Sequence, residues 1–380
     1  MPAISKIGVP IFIACTLLAG CKINGISPAT PSLSEKESPS PKMTPSSSAT
    51  LTDPALEPVE KITFQFGPFK LAGELQLPGE GEGYPVVVMV HGDGPIDRDC
   101  YGLYQPLMAR FLQAGYAVFS WDKPGTGESA GQLSDSANKL DQRASILVSA
   151  IETLKRHPAV DGERIGTWGH SQAGYVIPLA LRKTDDIDFV VMVSGPGMDS
   201  FDQGAYLTGQ MAFCAGASQE EARRIEGYLP TIYHTNNYQA YEDATTNLLD
   251  HPYYYNLDVS ISIRSEEQWS PMDRDDLAFF NPIEVIENTN LPILAVFGEK
   301  DRQADPLQGV KAYQEAMGKN GVAVSQAVLL PNVDHNIVFS ETGCLEERDN
   351  YSFDDWLDYS IEYLDLLEAW LSQVDELEGE

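Results

Sequence analysis

The sequence is short of positive charge. Its 25 Lys and Arg residues stand against 56 Asp and Glu residues, which gives a formal net charge of −31 at pH 7. A surface with this balance repels phosphate backbones and anionic lipid headgroups, so we expect no nucleic-acid partner and no charge-driven membrane binding. We interpret the acidic excess as a well-solvated surface.

Cysteine and histidine are also scarce, with five and six residues respectively. The sequence has no Cys-x-x-Cys pair and no histidine cluster with zinc-ligand spacing, so we expect no transition metal and no other cofactor. Cys15 and Cys21 belong to the N-terminal segment. The other three cysteines, Cys100, Cys214 and Cys344, allow at most one disulfide.

The apolar run "IGVPIFIACTLL" follows Lys6 and is too short to span a bilayer as a permanent helix. It has the charge, length and small-residue ending of a secretory signal. The ending "LAGC" resembles a bacterial lipobox, which implies cleavage and lipidation at Cys21; an ordinary secretory signal is the alternative. We expect a protein of the cell envelope, in the periplasm or at the outer membrane, held to the membrane by its lipid anchor only.

The composition predicts the domain organisation. A signal peptide over residues 1–20 precedes a Ser/Pro-rich tether over 21–58 that lacks core-sized apolar clusters. A core domain is expected over 59–198 and 281–372. The interruption between its parts, 199–280, is predicted to be a helical cap, and 373–380 an acidic, frayed tail.

Apolar runs and helical patterns alternate through the two core segments. "KITFQFGPFKLAGELQLPG" predicts an antiparallel hairpin, and "YPVVVMVHG", "RIGTWG" and "LPILAVFG" are typical of strands buried on both faces. The pattern "FDDWLDYSIEYLDLLEAWL" predicts one final helix that packs its apolar side chains into the core. The fold class is therefore α/β, with a mostly parallel sheet covered by helices on both faces.

A candidate nucleophile lies between a predicted strand and a predicted helix, in "GTWGHSQAGY". Gly169, Ser171 and Ala173 match the pattern Gly-x-Ser-x-small, in which a sharp turn exposes the serine hydroxyl at the carboxyl edge of a sheet. Ala173 stands where the pattern usually has Gly. A turn without catalytic function is the alternative.

A serine nucleophile needs a base and an acid that orients the base. Asp301 follows one later strand and His335 follows the next, so the order Ser171, Asp301, His335 fits a triad on this kind of sheet. Asp305 and Asp199 remain alternatives for the acid. The other histidines lie at less suitable places.

The tetrahedral intermediate of acyl transfer also needs N–H donors for its oxygen. The strand "VVVMV" ends in "HGDG", so we expect the backbone amides of Asp93 and Gln172 to form this oxyanion hole. The run "PIDRD" behind it predicts a buried salt-bridge network around Arg98 that braces the loop.

The motifs "HGDGPIDRD", "WDKPGTGESAG", "GHSQAG", "GEKD" and "PNVDH" resemble, in this order, those of the α/β-hydrolase superfamily. They are most similar to bacterial serine esterases related to the catalytic domains of dienelactone hydrolase and prolyl oligopeptidase. The resemblance implies an α/β-hydrolase fold and a carboxylesterase that acts on a small-molecule ester without a cofactor. A peptidase, amidase or thioesterase on the same scaffold is the alternative, and a non-catalytic surface lipoprotein that binds a ligand is a third interpretation.

Overall fold

The computed structural model describes residues 59–133, 138–257, 259–274 and 276–378. The predicted signal peptide, the predicted lipidation site Cys21 and the whole of the predicted tether lie outside these ranges. In the described part of the chain, no helix combines the length and the apolar character that a membrane crossing requires.

One eight-stranded sheet organises the chain. Its strands are β1 (Val59–Phe66), β2 (Phe69–Gln76), β3 (Tyr84–Val90), β4 (Ala117–Trp121), β5 (Val160–His170), β6 (Phe189–Val193), β7 (Ile293–Gly298) and β8 (Gln326–Leu330). They lie in the order β1-β2-β4-β3-β5-β6-β7-β8. The pairs β1/β2 and β2/β4 are antiparallel, and the other pairs are parallel. The predicted hairpin and mostly parallel sheet are confirmed.

Strand β3 shows why the central strands are apolar throughout. Val86, Val88 and Val90 pack into a hydrophobic core on one face of the sheet. Val87 and Met89 pack into a second core on the other face. Successive side chains of a strand point to opposite faces, so a sheet with helices on both sides requires apolar residues at every position.

Eleven α-helices complete the described part of the chain. They are α1 (Gln105–Gln113), α2 (Asn138–Leu154), α3 (Ala173–Leu181), α4 (Ser200–Cys214), α5 (Gln219–His234), α6 (Tyr238–Leu249), α7 (Ile283–Glu287), α8 (Pro306–Asn320), α9 (Leu345–Arg348), α10 (Phe353–Leu357) and α11 (Ile361–Glu378). Residues of α2, α3 and α8 contribute to the first core, and residues of α1 and α11 contribute to the second. The sheet is therefore covered on both faces.

The segment between β6 and β7 is helical. Its helices α4, α5 and α6 share a hydrophobic core of their own, which includes Phe201, Ile225, Leu229 and Leu248. Ser218 begins α5 with a reciprocal capping box, in which Ser218 and Glu221 bond each other's backbone amides. This segment is the one predicted to form a cap.

The prediction of one final helix over residues 353–371 is wrong. The chain forms two helices, α10 and α11, separated by residues 358–360. Phe353 and Ile361 are 55% and 60% exposed rather than packed in the core. A capping box at Ser352 begins α10, whereas the apolar period alone gives no sign of the break. Helix α11 extends to Glu378, so most of the acidic end is helical.

A disulfide links Cys214, the last residue of α4, to Cys344, while Cys100 is buried and unpaired. The two half-cystines are 130 positions apart in the sequence, and their Cα atoms are 5.7 Å apart. The bond ties the helical insertion to the segment that follows β8. It agrees with the expectation of at most one disulfide.

Reduction of this disulfide is expected to destabilise the protein. Closing a loop of this length restricts the unfolded chain, and loss of the bond costs about 2–5 kcal/mol of unfolding free energy. Urea unfolding with and without dithiothreitol measures the difference. The double variant Cys214→Ser/Cys344→Ser is the control, since its stability should not respond to the reductant. Equal stability of the wild type in both conditions contradicts the expectation.

Candidate active site

Ser171 follows β5 on a strained turn. Its φ is +58°, a conformation that is uncommon for a residue other than glycine. The Ser171 amide donates to the carbonyl of Val193 (2.9 Å), and the Ser171 carbonyl accepts from the Gly174 amide (2.8 Å) as α3 begins. The turn therefore places Ser171 at the carboxyl edge of the parallel strands, where the sequence analysis expected a nucleophile.

Small residues are required around this turn because β5 and α3 lie close together. A Cβ added to Gly169 would lie 2.5 Å from Ile177 Cδ1 and 2.8 Å from Ala173 Cβ. A Cβ added to Gly174 would lie 2.9 Å from Gly195 Cα. The methyl group of Ala173 is fully buried. The turn thus accommodates Ala in place of the more usual Gly.

His335 and Asp301 form a buried pair. The Nδ1 atom of His335 donates to Oδ2 of Asp301 at 2.7 Å. The other carboxylate oxygen, Oδ1, accepts from the amides of Gln303 (2.7 Å) and Ala304 (2.9 Å). The side chain of His335 is 5% exposed and that of Asp301 is 0% exposed. Asp301 is therefore fixed in place, and it binds Nδ1 of the His335 ring rather than Nε2.

The other candidate acids have structural partners. Asp305 caps α8 by accepting from two backbone amides of its first turn, and Asp199 caps α4 in the same way. Asp334 binds Arg348 (2.9 Å) in a buried ion pair that braces the loop of His335. The structure thus brings only Asp301, of these four carboxylates, into hydrogen-bond contact with the ring of His335.

His335 lies beside the serine turn. Nε2 of His170, the residue before Ser171, donates to the His335 carbonyl at 3.0 Å. The ring centroids of His170 and His335 are 4.9 Å apart. Within the described residues, Ser171 Oγ makes no hydrogen bond. Catalytic hydrogen bonds are often loose without substrate and tighten when substrate binds.

The predicted oxyanion hole lies against the serine. A Cβ added to Gly92 would lie 3.3 Å from Ser171 Cβ, so the loop after β3 packs directly on the turn. The amides of Asp93 and Gln172 donate to no acceptor in the described part of the chain. The Asp93 carboxylate is held by Lys139 at 3.0 Å. Burial alone raises the pKa of Asp93, but Lys139 reverses the effect and lowers it.

The predicted Arg98 network is present behind this loop. Arg98 Nε donates to Asp122 Oδ1 (3.0 Å), and its guanidinium also pairs with Glu74 and, at longer range, Glu128. The side chain of Asp122 is 1% exposed. Breaking a buried pair leaves an uncompensated charge, so the network holds the loop firmly.

Two basic residues that the sequence did not predict at the site also contact the loop after β3. Lys123 and Arg143 are both buried, and they line one cavity together with His91. Burial, followed by the charge of Arg143, holds the pKa of Lys123 well below its usual range. Lys123 belongs to the motif "WDKPGTGESAG", but no pattern in the sequence indicates what its side chain contacts.

Two buried histidines should make the fold sensitive to acid. Burial is the main cause that lowers the pKa of His91 and of His170 to about 3. Between about pH 6.5 and 3, the unfolded chain binds a proton at each site and the folded protein does not. As the pH decreases through this range, the unfolding free energy should decrease by about 1.4 kcal/mol per pH unit for each histidine.

Urea unfolding at pH 7, 6 and 5 measures this slope. The variant His91→Gln keeps a polar side chain but does not titrate, so its slope should be smaller by about one proton. A slope identical to that of the wild type contradicts the assignment.

The helical insertion contacts the loop that carries Asp301. Tyr206 of α4 donates from its hydroxyl to the Asp301 carbonyl at 2.7 Å, and Arg302 donates to Gln210 Oε1 at 2.9 Å. Among the aromatic residues of the insertion, Tyr253, Tyr254 and Trp269 pack on the insertion's own core. Tyr255 is 94% exposed, and Phe213 lies under the guanidinium of Arg302.

The described residues contain two separate clusters of side chains whose atoms are close enough to share a metal ion. One consists of Asp199, Asp202 and His234, but Asp202 and Arg274 already occupy the two ring nitrogens of His234. The arginine also places a positive charge where a cation would bind. The other group uses the sulfurs of the disulfide. Both sets are explained by structural contacts.

A serine on a strand-to-helix turn, followed along the chain by an Asp and a His after later strands, is typical of hydrolases with an α/β fold. The sequence profile described as the alpha/beta hydrolase family matches residues 87–345, more than half of the chain. The chain belongs to the alpha/beta hydrolase family, as its motifs indicated. Its fold is the α/β-hydrolase fold.

Individual relatives are distant. A protein named thiohydrolase aneE from Aspergillus aculeatus is 32% identical over 106 residues, which are 28% of this chain and 31% of that protein. An uncharacterized 31.7 kDa protein of Escherichia coli is 28% identical over 92 residues, 24% of this chain and 30% of that protein. The chain thus matches about three tenths of the length of these curated relatives.

Solved structures are similar over more of the chain. An esterase of Pyrococcus furiosus is 15% identical, with 83% of this chain and 90% of that chain covered and a TM-score of 0.49. Dipeptidyl peptidase 4 of Porphyromonas gingivalis is 16% identical, with 76% and 34% covered and a TM-score of 0.44.

Proposed function

We propose that the protein is a serine hydrolase that cleaves carboxylic esters through an acyl-enzyme. The observation that carries the proposal is the buried His335–Asp301 pair, 2.7 Å long, beside a serine held at positive φ. A surface histidine would not need a buried carboxylate anchored by two amides. Strained serines and buried acid–base pairs are typical of catalytic sites.

In this proposal, Ser171 Oγ attacks the acyl carbon while His335 Nε2 takes its proton. The carbonyl oxygen becomes an oxyanion that accepts hydrogen bonds from the amides of Asp93 and Gln172. His335 then gives the proton to the departing alkoxide, and the alcohol leaves. Water then attacks the acyl carbon while His335 takes its proton; the bond to Ser171 Oγ breaks, the proton passes to Oγ, and the acid leaves. Asp301 holds the histidine tautomer and stabilises the imidazolium in both steps.

Thioester hydrolysis is the second candidate. The same acyl-enzyme forms from a thioester, with a thiolate as the leaving group. The partial match to a protein named thiohydrolase favours this candidate over amide cleavage. The α/β-hydrolase fold itself does not separate the three substrate classes.

A substrate panel tests the proposal. The full chain is assayed with p-nitrophenyl acetate, butyrate and octanoate, a butyryl thioester and alanine p-nitroanilide. We expect the largest kcat/KM for one of the oxygen esters. A thioester with a larger kcat/KM would select the second candidate, and an anilide cleaved faster than every ester would refute the proposal.

We further propose that the protein is exported and lipid-anchored through Cys21. The lipobox-like "LAGC" and the tether support this localisation. The disulfide between Cys214 and Cys344 adds independent support, because disulfides persist mainly in oxidising compartments outside the cytosol.

Labelling a bacterial expression host with an alkynyl fatty acid tests the anchor. The wild type should take up the label and fractionate with membranes. Cys21→Ser should take up none, and Cys15→Ser should still be labelled. Equal labelling of wild type and Cys21→Ser contradicts the anchor but leaves the hydrolase proposal intact.

A further inference from the structure

Two buried basic side chains hold the backbone that carries the candidate oxyanion hole. Lys123 Nζ donates to the Gly92 carbonyl and to the Gly94 carbonyl, the latter at 2.7 Å. Lys123 is 4% exposed. The carboxylate of Asp93 acts on Lys123 through its charge, but both hydrogen bonds of Lys123 go to carbonyls of the loop, and among the described residues no carboxylate forms an ion pair with it.

The hydrogen bond from Lys123 to the Gly92 carbonyl orients the peptide group between Gly92 and Asp93. The Gly92 carbonyl and the Asp93 amide belong to the same planar trans peptide, so they point in opposite directions. A lysine bound to the carbonyl therefore directs the amide away from itself. A Cβ added to Gly92 would lie 3.3 Å from Ser171 Cβ, so the peptide whose amide Lys123 leaves free lies beside the candidate nucleophile.

Arg143 of α2 joins this loop to the second donor segment. One guanidinium nitrogen donates to the His91 carbonyl, and the other donates to Oε1 of Gln172. His91 precedes Gly92, and Gln172 supplies the other candidate amide. One buried side chain thus bridges the two segments whose amides must converge on a single oxygen.

We propose that Lys123 and Arg143 are positioning residues of the oxyanion hole. Lys123 aims and polarises the peptide between Gly92 and Asp93, and Arg143 fixes its distance from the Gln172 amide. The inference rests on the proposed acyl-transfer function. Neither side chain needs to touch the substrate, and their effect should be felt only when negative charge develops on the carbonyl oxygen.

Lys123→Met tests the proposal, because it keeps the length and apolar body of the side chain and removes the donors. For the best p-nitrophenyl ester, kcat should fall about 100-fold while KM changes less than about threefold. Val87→Ala is the matched control. It removes buried volume from β3, the strand before the loop, so it should lower the melting temperature without lowering kcat.

Hydrogen–deuterium exchange of the peptide covering residues 91–96 gives a readout that does not depend on activity. Lys123→Met should exchange faster there than Val87→Ala. Arg143→Lys serves as a second variant, since it keeps the charge but reaches one acceptor instead of two. Arg143→Lys should lower kcat about tenfold. If Lys123→Met does not fold, this variant alone tests whether the loop is positioned by these side chains.

The outcomes separate the two proposals. Unchanged kcat in both variants, or exchange in the loop no faster than in Val87→Ala, overturns the positioning role. If the wild type hydrolyses none of the substrates, the proposed function fails instead. Exchange then still decides whether Lys123 and Arg143 hold the loop.

Discussion

Replacing Ser171 by Ala is expected to lower kcat for ester hydrolysis about 10⁶-fold. The hydroxyl is the group that bonds to the acyl carbon, so its removal eliminates the acyl-enzyme route altogether. Residual hydrolysis would come from substrate binding and from the amides of Asp93 and Gln172, which the substitution leaves in place. Steady-state kinetics with the best p-nitrophenyl ester measure the loss.

Ser194→Ala is the control for this substitution. Ser194 also has positive φ, +52°, and it directly follows β6, the strand beside β5. Its hydroxyl is buried and has no hydrogen-bond partner in the described structure. Its loss should leave kcat within about twofold. A Ser171→Ala protein that retains wild-type kcat would show that another residue performs the reaction.

Replacing Asp301 by Asn is expected to lower kcat about 10⁴-fold. An Asn amide can donate to the ring nitrogen that now donates to Asp301, and this favours the wrong tautomer of His335. The neutral side chain also fails to stabilise the imidazolium. The fold should persist, because the Asn oxygen can still accept from the amides of Gln303 and Ala304.

The alternative acids provide controls. Asp305→Asn and Asp199→Asn retain good helix-capping side chains, so stability should change by only a few tenths of a kcal/mol. Their kcat should match that of the wild type. If Asp305→Asn or Asp199→Asn causes the large loss and Asp301→Asn does not, the assignment of the acid is wrong.

The sheet could be predicted from sequence because its cause is local. Runs such as "VVVMV" are short, β-branched and apolar at every position, as a strand buried on both faces requires. The serine turn could be predicted for a similar reason, since close approach of strand and helix demands small residues at fixed spacing. The structure shows this demand at Gly169 of β5, where an added Cβ would lie 2.5 Å from Ile177 of α3.

The acid could not be chosen from sequence alone. Asp301 and Asp305 both follow β7, and only the turn formed at residues 298–301 places the first against His335 while the second caps a helix. The disulfide partners and the roles of Lys123 and Arg143 were also beyond reach. Each depends on contacts between segments far apart in the chain, and no local pattern records them.

The prediction of one final helix was wrong because a local pattern was present but was interrupted by contacts that the pattern does not report. Its apolar period continues across residues 358–360, where Tyr359 forms an antiparallel bridge with Val338, the Ser360 amide donates to the Ile337 carbonyl, and the Ser360 hydroxyl accepts from the Tyr363 amide as α11 begins. Periodicity reports which side chains could share a face. It does not report where a cap competes with the helix, and so Phe353 and Ile361 were wrongly placed in the core.

The covalent state of Ser171 after treatment with a fluorophosphonate tests the central claim most directly. Intact-mass spectrometry of the treated wild type should show one added phosphonyl group, and peptide mapping should place it on Ser171. Ser171→Ala should gain no mass, and Asp301→Asn should react far more slowly. A folded wild-type protein that gains no mass, or carries the group on another residue, contradicts catalysis by this serine.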